Sequence, residues 1–361
     1  MKVDVLVIGA GPAGSSTARE IAESGFSVLA IDRRKEIGFP VQCGEFLPTP
    51  DELRRILPRS EDYGDLFEIE PRLVERETSL IELYGPFGIR YDMEFSGLTL
   101  NRREFDKSLW GRAEKTGATL EKETEFFELK SDRVAMTSAG DIEFDYIVGA
   151  DGPLSRVRKC LSLSEPSAMS QAVTGQARGD FGENVRMYFG SIAPGGYAWV
   201  IPKRASANVG LGTQKEFCKE PLSDLIKRFA EGFEMNIEEF AYGQVPISGP
   251  IKRTVSGNAL LVGDAAGQVM ATNGGGIPIA MICGRIAGRC IANVLRGKGR
   301  ISDYDTEWKR QILSPLKNAA RTKAIADYFF ATNRRLKFAM KTLGLNGLER
   351  AILCKRVFYL F

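Results

Sequence analysis

The chain of 361 residues contains no histidine. Every mechanism that needs imidazole as base, proton shuttle or metal ligand is therefore excluded. Its six cysteines are Cys43, Cys160, Cys218, Cys283, Cys290 and Cys354, and no two form a CxxC pair. No zinc or other metal site is expected from that spacing. The usage fits a reduced, intracellular chain, so the protein is read as cytoplasmic. No uninterrupted apolar run reaches ~20 residues, and no membrane-spanning helix is expected. The start, "MKVDVLVIGAGPAG", has an early Asp4 and too short an apolar run for a signal peptide. The net charge of +3 is too small to imply a nucleic-acid partner, and none is expected. With 43% hydrophobic and 26% charged residues, disordered and collagen-like classes are also excluded.

What is present begins at the first residues. "VDVLVIGAGPAGSSTAREIAESG" reads as a strand covered on both faces, a tight turn and a helix ending at Gly25. "FSVLAID" is the next strand, which makes a βαβ unit. Gly9, Gly11 and Gly14 match G-x-G-x-x-G. Gly9 permits the turn, Gly11 lets backbone approach a pyrophosphate, and Gly14 lets helix pack on strand. The helix N-terminus then faces the phosphates. Asp32 follows Gly14 by 18 residues, where a carboxylate accepts ribose hydroxyls. The motif specifies a dinucleotide without separating FAD from NAD.

Further along, "GADG" at 149–152 and "GDAAG" at 263–267 each follow a strand, and "NGGGI" at 273–277 opens a helix of about five turns. A nicotinamide dehydrogenase needs only the first fingerprint; enclosing a flavin needs more of the chain. Asp264 sits at a strand end, suited to a polyol hydroxyl. The N–H groups at Gly274, Gly275 and Gly276 suit negative charge near N1 and O2 of a reduced isoalloxazine. Between 170 and 250 the runs "RMYFG", "GYAWVIP" and "ANVGLGT" alternate and are short, as in an antiparallel sheet. The expected architecture is α/β: a Rossmann-type FAD-binding domain interrupted by an antiparallel-sheet substrate domain, with a C-terminal helical region. The cofactor domain takes 1–70, 100–165 and 245–298, the substrate domain 71–99 and 166–244, and the helical region 299–361.

These motifs resemble the large FAD family that contains the aromatic hydroxylases. Within it the chain is most similar to geranylgeranyl reductases, particularly the archaeal-type digeranylgeranylglycerophospholipid reductases. The resemblance is carried by "GAGPAG", "PVQCGE" at 40–45, "RREFD" at 102–106, "GADGPLSRVR", "PGGYAWVIP" at 194–202 and "GDAAG…NGGGI". It implies FAD contacts at Ala13, Asp32, Cys43, Gly44, Arg102, Asp264, Gly276 and Ile277. It also implies that Tyr197, Trp199 and Pro202 line an isoprenoid site. Two departures stand out. Ile201 replaces the family's Phe, and "MATN" at 270–273 replaces a frequent Asn-Pro-x-Thr.

Residues i and i+2 of a strand share a face, so Tyr197 and Trp199 form one wall of a cavity or pack in a sandwich core. The activity implied by the resemblance is saturation of C=C bonds in geranylgeranyl lipids, by hydride from N5 of reduced FAD plus a proton. The proton donor is Cys43, Tyr197 or water. Partners are then the lipid and an external electron donor: ferredoxin, a reduced deazaflavin or NAD(P)H. The alternatives are a FAD-dependent monooxygenase or halogenase of an aromatic or apolar substrate, and a non-catalytic prenyl-lipid carrier. Against a hydroxylase, Gly267 stands where many such enzymes have His after "GDAA". The last 47 residues hold ten Lys/Arg and two Asp/Glu, a net +8 that leaves the rest at −5. Such a tail lies at an anionic membrane surface, at the inner face, or packs as a helical pair with a solvated basic face.

Overall fold

The computed structural model describes residues 1–61 and 63–357. The tail residues 358–361 lie outside that range. The chain opens with β1 (Lys2–Ile8), α1 (Pro12–Glu23) and β2 (Val28–Asp32). Next come β3 (Phe46–Pro48), α2 (Pro50–Ile56), β4 (Val74–Gly85), β5 (Ile89–Leu100) and α3 (Arg102–Lys115). Then follow β6 (Thr119–Lys122), β7 (Phe126–Ser131), β8 (Val134–Thr137), β9 (Gly140–Gly149) and α4 (Arg156–Cys160). The middle holds β10 (Met169–Arg178), β11 (Val185–Phe189), β12 (Tyr197–Pro202), β13 (Ser206–Thr213), α5 (Leu222–Glu231) and β14 (Ile237–Pro246). The chain closes with β15 (Val255–Ser256), β16 (Ala259–Leu261), α6 (Ile277–Leu295), α7 (Asp303–Phe330) and α8 (Asn333–Ile352).

The first sheet has the order β15-β16-β9-β1-β2-β6, with the β7–β8 hairpin attached to β9. β1 pairs in parallel with β2 and β9. Its residues alternate between two cores: Val5 and Val7 join the cluster under α1 and α6, while Leu6 and Ile8 join the cluster on the opposite face. That alternation is why the sequence reads as one apolar run. α6 is long and apolar enough to cross a bilayer, but 78% of its apolar window is buried inside the protein. It is the central core helix, packed on α1. A Cβ on Gly284 would lie 2.3 Å from the Ala13 carbonyl, so the two backbones meet only because glycine stands there.

The second sheet has the order β14-β10-β13-β12-β11-β4-β5-β3. It is mixed, not purely antiparallel as the short alternating runs suggest: β11 runs parallel to β4. The two strands are far apart in sequence, so no hairpin dictates their direction. β3 also belongs to this sheet, although it falls in the first segment expected for the cofactor unit. The C-terminal region is a helical pair, α7 and α8. α8 breaks its helical dihedrals at Gly344 (φ 58°, ψ −170°).

Candidate functional site

The β1–α1 turn is built by glycine at two points. Gly9 has φ 101°, and a Cβ there would meet the Ala150 carbonyl at 2.5 Å. A Cβ on Gly14 would meet Gly9 O at 1.8 Å. Gly11 differs: a Cβ there would meet no protein atom within 4 Å. Gly11 is the N-cap of α1, and no side chain caps the first N–H groups of the helix. Ala13 follows in the first turn, where α1 meets both α6 and the "GDAAG" turn. At the end of β2, Asp32 accepts from Ala10 N at 2.9 Å and from the Arg34 guanidinium at 2.9 and 2.7 Å. Burial works to raise the Asp32 pKa, but the bonds to and charge of Arg34, with the Ala10 and Arg34 N–H groups, outweigh it and hold it below the ordinary value. Both oxygens are already doubly engaged, so a ribose hydroxyl reaches Asp32 by displacing an Arg34 bond. Arg34 was invisible to motif reading.

At the other end, Asp264 lies in the turn after β16. Burial pushes its pKa up to about 6, against the opposing charge of Arg102. A Cβ on Gly276 would lie 3.2 Å from Asp264 Oδ1. Gly276 is the N-cap of α6, Ile277 is its first residue, and again no side chain caps the helix. Asn273 holds this loop. Its Oδ1 accepts from Gly275 N at 2.9 Å and its Nδ2 donates to Ile352 O at 3.1 Å. Its carbonyl accepts the Tyr197 hydroxyl at 2.5 Å. The loop that lacks the family's proline is therefore braced by an asparagine. The neighbouring "GADG" and "GDAAG" turns are joined by buried Arg158, which donates to Pro153 O at 2.9 Å and Ala265 O at 2.8 Å.

Tyr197 and Trp199 share one face of β12, with ring centroids 5.8 Å apart. Burial, with the neighbouring Cys43, raises the Tyr197 pKa well above its usual value. The Trp199 Nε1 donates to Asn208 Oδ1 at 2.7 Å. Gly44 lies against this wall: a Cβ there would be 3.0 Å from Ile201 Cδ1 and 3.6 Å from Trp199 Nε1. Ile201, the departure from the family pattern, is thus in contact range of the Cys43–Gly44 turn. Pro202 ends β12 opposite Ala207. Cys43 is half-buried, and its Sγ accepts from Glu45 N at 3.2 Å. Arg102 makes a bidentate pair with Asp106 at 2.9 Å and lies within charge range of Cys43.

Beneath Cys43 is a buried polar cluster that the sequence reading missed. Glu45 Oε2 accepts from Lys203 Nζ at 2.8 Å, Gln176 Nε2 at 2.8 Å and Asn208 Nδ2 at 2.9 Å. Asn208 also donates to Cys43 O at 2.9 Å. One asparagine therefore bonds both the aromatic wall and the cysteine turn. The available signal was a charge at the end of each apolar motif: Glu45 closes "PVQCGE" and Lys203 follows "PGGYAWVIP".

The residues suit FAD. Two uncapped helix N-termini would hold its anionic portions, α1 the pyrophosphate and α6 the ring. Asp32 and Asp264 would supply acceptors for its hydroxyls. Fold and site together define a FAD-dependent flavoenzyme, an oxidoreductase.

Residues 170–245 match the geranylgeranyl reductase catalytic domain, and residues 7–58 match an NAD(P)-binding Rossmann-like domain. The chain is 35% identical to digeranylgeranylglycerophospholipid reductase 2 of Methanothermobacter thermautotrophicus, over 91% of this chain and 88% of that one. It is 30% identical to the digeranylgeranylglycerophospholipid reductase of Methanocaldococcus jannaschii, over 98% and 94%. A geranylgeranyl bacteriochlorophyll reductase-like protein of Thermoplasma acidophilum has the same fold, with a TM-score of 0.81, 23% identity and coverage of 99% and 93%. The myxobacterial halogenase CndH shares the fold more distantly, with a TM-score of 0.74 at 18% identity over 98% and 92%. The chain belongs to the geranylgeranyl reductase family.

Proposed function

We propose that this protein saturates C=C bonds in the geranylgeranyl chains of membrane lipids or their precursors. The observation that carries the reading is the Tyr197–Trp199 wall, tied to the α6 loop by the Tyr197–Asn273 bond and packed on the Cys43–Gly44 turn. An apolar chain lying on that wall passes the loop that receives the flavin ring. Burying a chain of roughly twenty carbons at ~0.8 kcal/mol per CH₂ gives an upper limit on the order of 16 kcal/mol, reduced by association and ordering costs. Apolar burial then dominates affinity, and head groups and chain lengths are tolerated.

When bound, reduced FAD supplies hydride. The residues of this chain hold the alkene, exclude water and deliver the proton to the other carbon. Of the two side-chain candidates, Cys43 is the donor, with water as its proton source. Giving up its proton leaves a thiolate that accepts the Glu45 N–H and faces the Arg102 charge, and water reprotonates it. Tyr197 is a tether: its hydroxyl proton is committed to Asn273 O, and burial opposes its ionisation. The FAD contacts are assigned to the residues named above, and the chain is divided into the three parts expected from sequence, with β3 adding an edge strand of the second sheet from within the first segment. Electrons come from an external donor. The protein works in the cytoplasm and visits the inner membrane face.

The test is anaerobic reduction of the FAD-loaded protein, followed by incubation with a geranylgeranyl phospholipid and mass spectrometry. Gain of two hydrogens per double bond is expected. Substrate-stimulated oxygen uptake with hydroxylated or halogenated product would overturn the reading. Cys43→Ser should keep its flavin and lose turnover; full turnover removes Cys43 as donor.

A further inference from the structure

We propose that the corner between α7 and α8, with the tip of the β4–β5 hairpin, seats this protein on an anionic lipid bilayer, and that the substrate chain enters there. The entry route rests on the reductase reading; the surface does not.

Three aromatic side chains stand out from this corner. Phe87, at the hairpin tip, is 63% exposed; Phe338, on α8, is 65% exposed; and Tyr328, near the end of α7, is 62% exposed. They are interleaved with cations. Lys337 Nζ lies 5.0 Å from the centre of the Phe87 ring, and the Arg335 guanidinium 4.5 Å from that of Tyr328. Arg334 and Lys341 are exposed one turn to either side of Phe338. Among the described residues none of these four cations has a carboxylate partner within 4 Å. From Asn333 to Gly347 the helix contains no acidic residue. Large apolar rings beside a helix stretch whose only charges are cations, with Asp327 before Tyr328 paired to Lys323, match the charge and depth profile of an anionic lipid surface. An acidic soluble protein would use the cations and leave the rings without a purpose.

The patch is joined to the site. Phe330, at the end of α7, lies 6.5 Å from Phe189, and Phe189 lies 5.8 Å from Tyr197. Asn333, at the start of α8, fixes this junction: its Oδ1 accepts from Ser191 N at 2.9 Å, just beyond Phe189. A line of aromatic rings therefore runs from the corner to the wall beside the α6 loop. A lipid whose head stays in the bilayer can feed its tail along that line.

The experiment uses FAD-loaded protein and flotation with vesicles of phosphatidylcholine, alone or mixed with phosphatidylglycerol, at low and high salt. Binding to the anionic vesicles that weakens with salt is expected. Lys337→Glu with Lys341→Glu should weaken it more than about fivefold per position, and Phe338→Ser roughly tenfold. Flavin content and reduction of a short, water-soluble prenyl alcohol should not change, whereas reduction of vesicle-borne lipid falls with binding. Failure of the parent protein to float, or variants that float equally well, overturns the proposal. Variants that instead change the oligomeric state in light scattering make the corner a self-contact and also overturn it. Flotation without turnover of any prenyl substrate would sink the reductase reading and leave the surface standing.

Discussion

Removing the Lys203 charge tests whether the buried cluster under Cys43 holds the site together. The Lys203 and Glu45 side chains are only 10% and 2% exposed, and their charged atoms are 2.8 Å apart. Lys203→Met strands a carboxylate that still has the Gln176 and Asn208 donors but whose remaining countercharge, Arg102, is already paired with Asp106. Breaking one partner of such a pair costs about 3–5 kcal/mol. Glu45→Gln alone costs a comparable amount, because its new NH₂ group must face a donor in either orientation, the Arg102 N–H on one side or the Gln176, Asn208 and Lys203 donors on the other. The double variant removes both charges, and buried pairs replaced together are often close to neutral. The pair should therefore couple by at least about 3 kcal/mol, the value reached if the double variant still costs as much as one single, in a double-mutant cycle of urea unfolding on the FAD-loaded protein. Because Glu45 lies two residues from Cys43 and its Oε1 accepts from Arg102 N, each single variant should also loosen flavin retention in step with stability. A Lys203→Met protein within 1 kcal/mol of the parent, or a coupling below about 0.5 kcal/mol, would refute the reasoning.

Asp264, with a pKa of about 6 that is raised by burial, should make FAD affinity pH-dependent. Hydroxyl donors of the ligand favour the carboxylate, so affinity should be level above pH 6 and fall by up to about tenfold per pH unit below it. Asp264→Asn should flatten the curve; an unchanged slope measured by fluorescence titration would show that another group titrates. Tyr197→Phe should weaken FAD binding by about fivefold, since the Asn273 carbonyl loses its partner at ~1 kcal/mol, and should leave the shape of the kcat–pH profile unchanged. A loss of kcat above a hundredfold with normal FAD affinity would instead make the hydroxyl catalytic. Gly44→Ala should cost about 1 kcal/mol through the contact with Ile201 Cδ1, and Ile201→Val should recover most of it; no recovery places the strain elsewhere.

The βαβ start was legible because its requirements are local. Gly14 is fixed by the Gly9 carbonyl five residues earlier, Gly9 by the positive φ of its own turn, and Asp32 by the length of one helix and strand. The face shared by Tyr197 and Trp199 was legible for the same reason: strand periodicity is a property of three residues. The direction of β11 was not, because its partner β4 lies a hundred residues earlier and no turn joins them. Neither was the pairing of Glu45 with Lys203, 158 residues apart.

The missed contacts share a form. Glu45 ends one motif and meets Lys203 just after another. Tyr197, inside the second, bonds Asn273 at the start of a third. Arg158, just beyond "GADG", bonds Ala265 inside "GDAAG". Each of these motifs thus shares a polar bond with another motif, beside any bond it makes within itself. A glycine loop has little side-chain packing to hold it, and apolar contact is non-directional. Directional bonds from a charged or amide group supply the missing constraint at little volume. A charge with no local partner at the edge of such a motif is therefore a readable sign of long-range contact, and here it marks where the motifs meet one another.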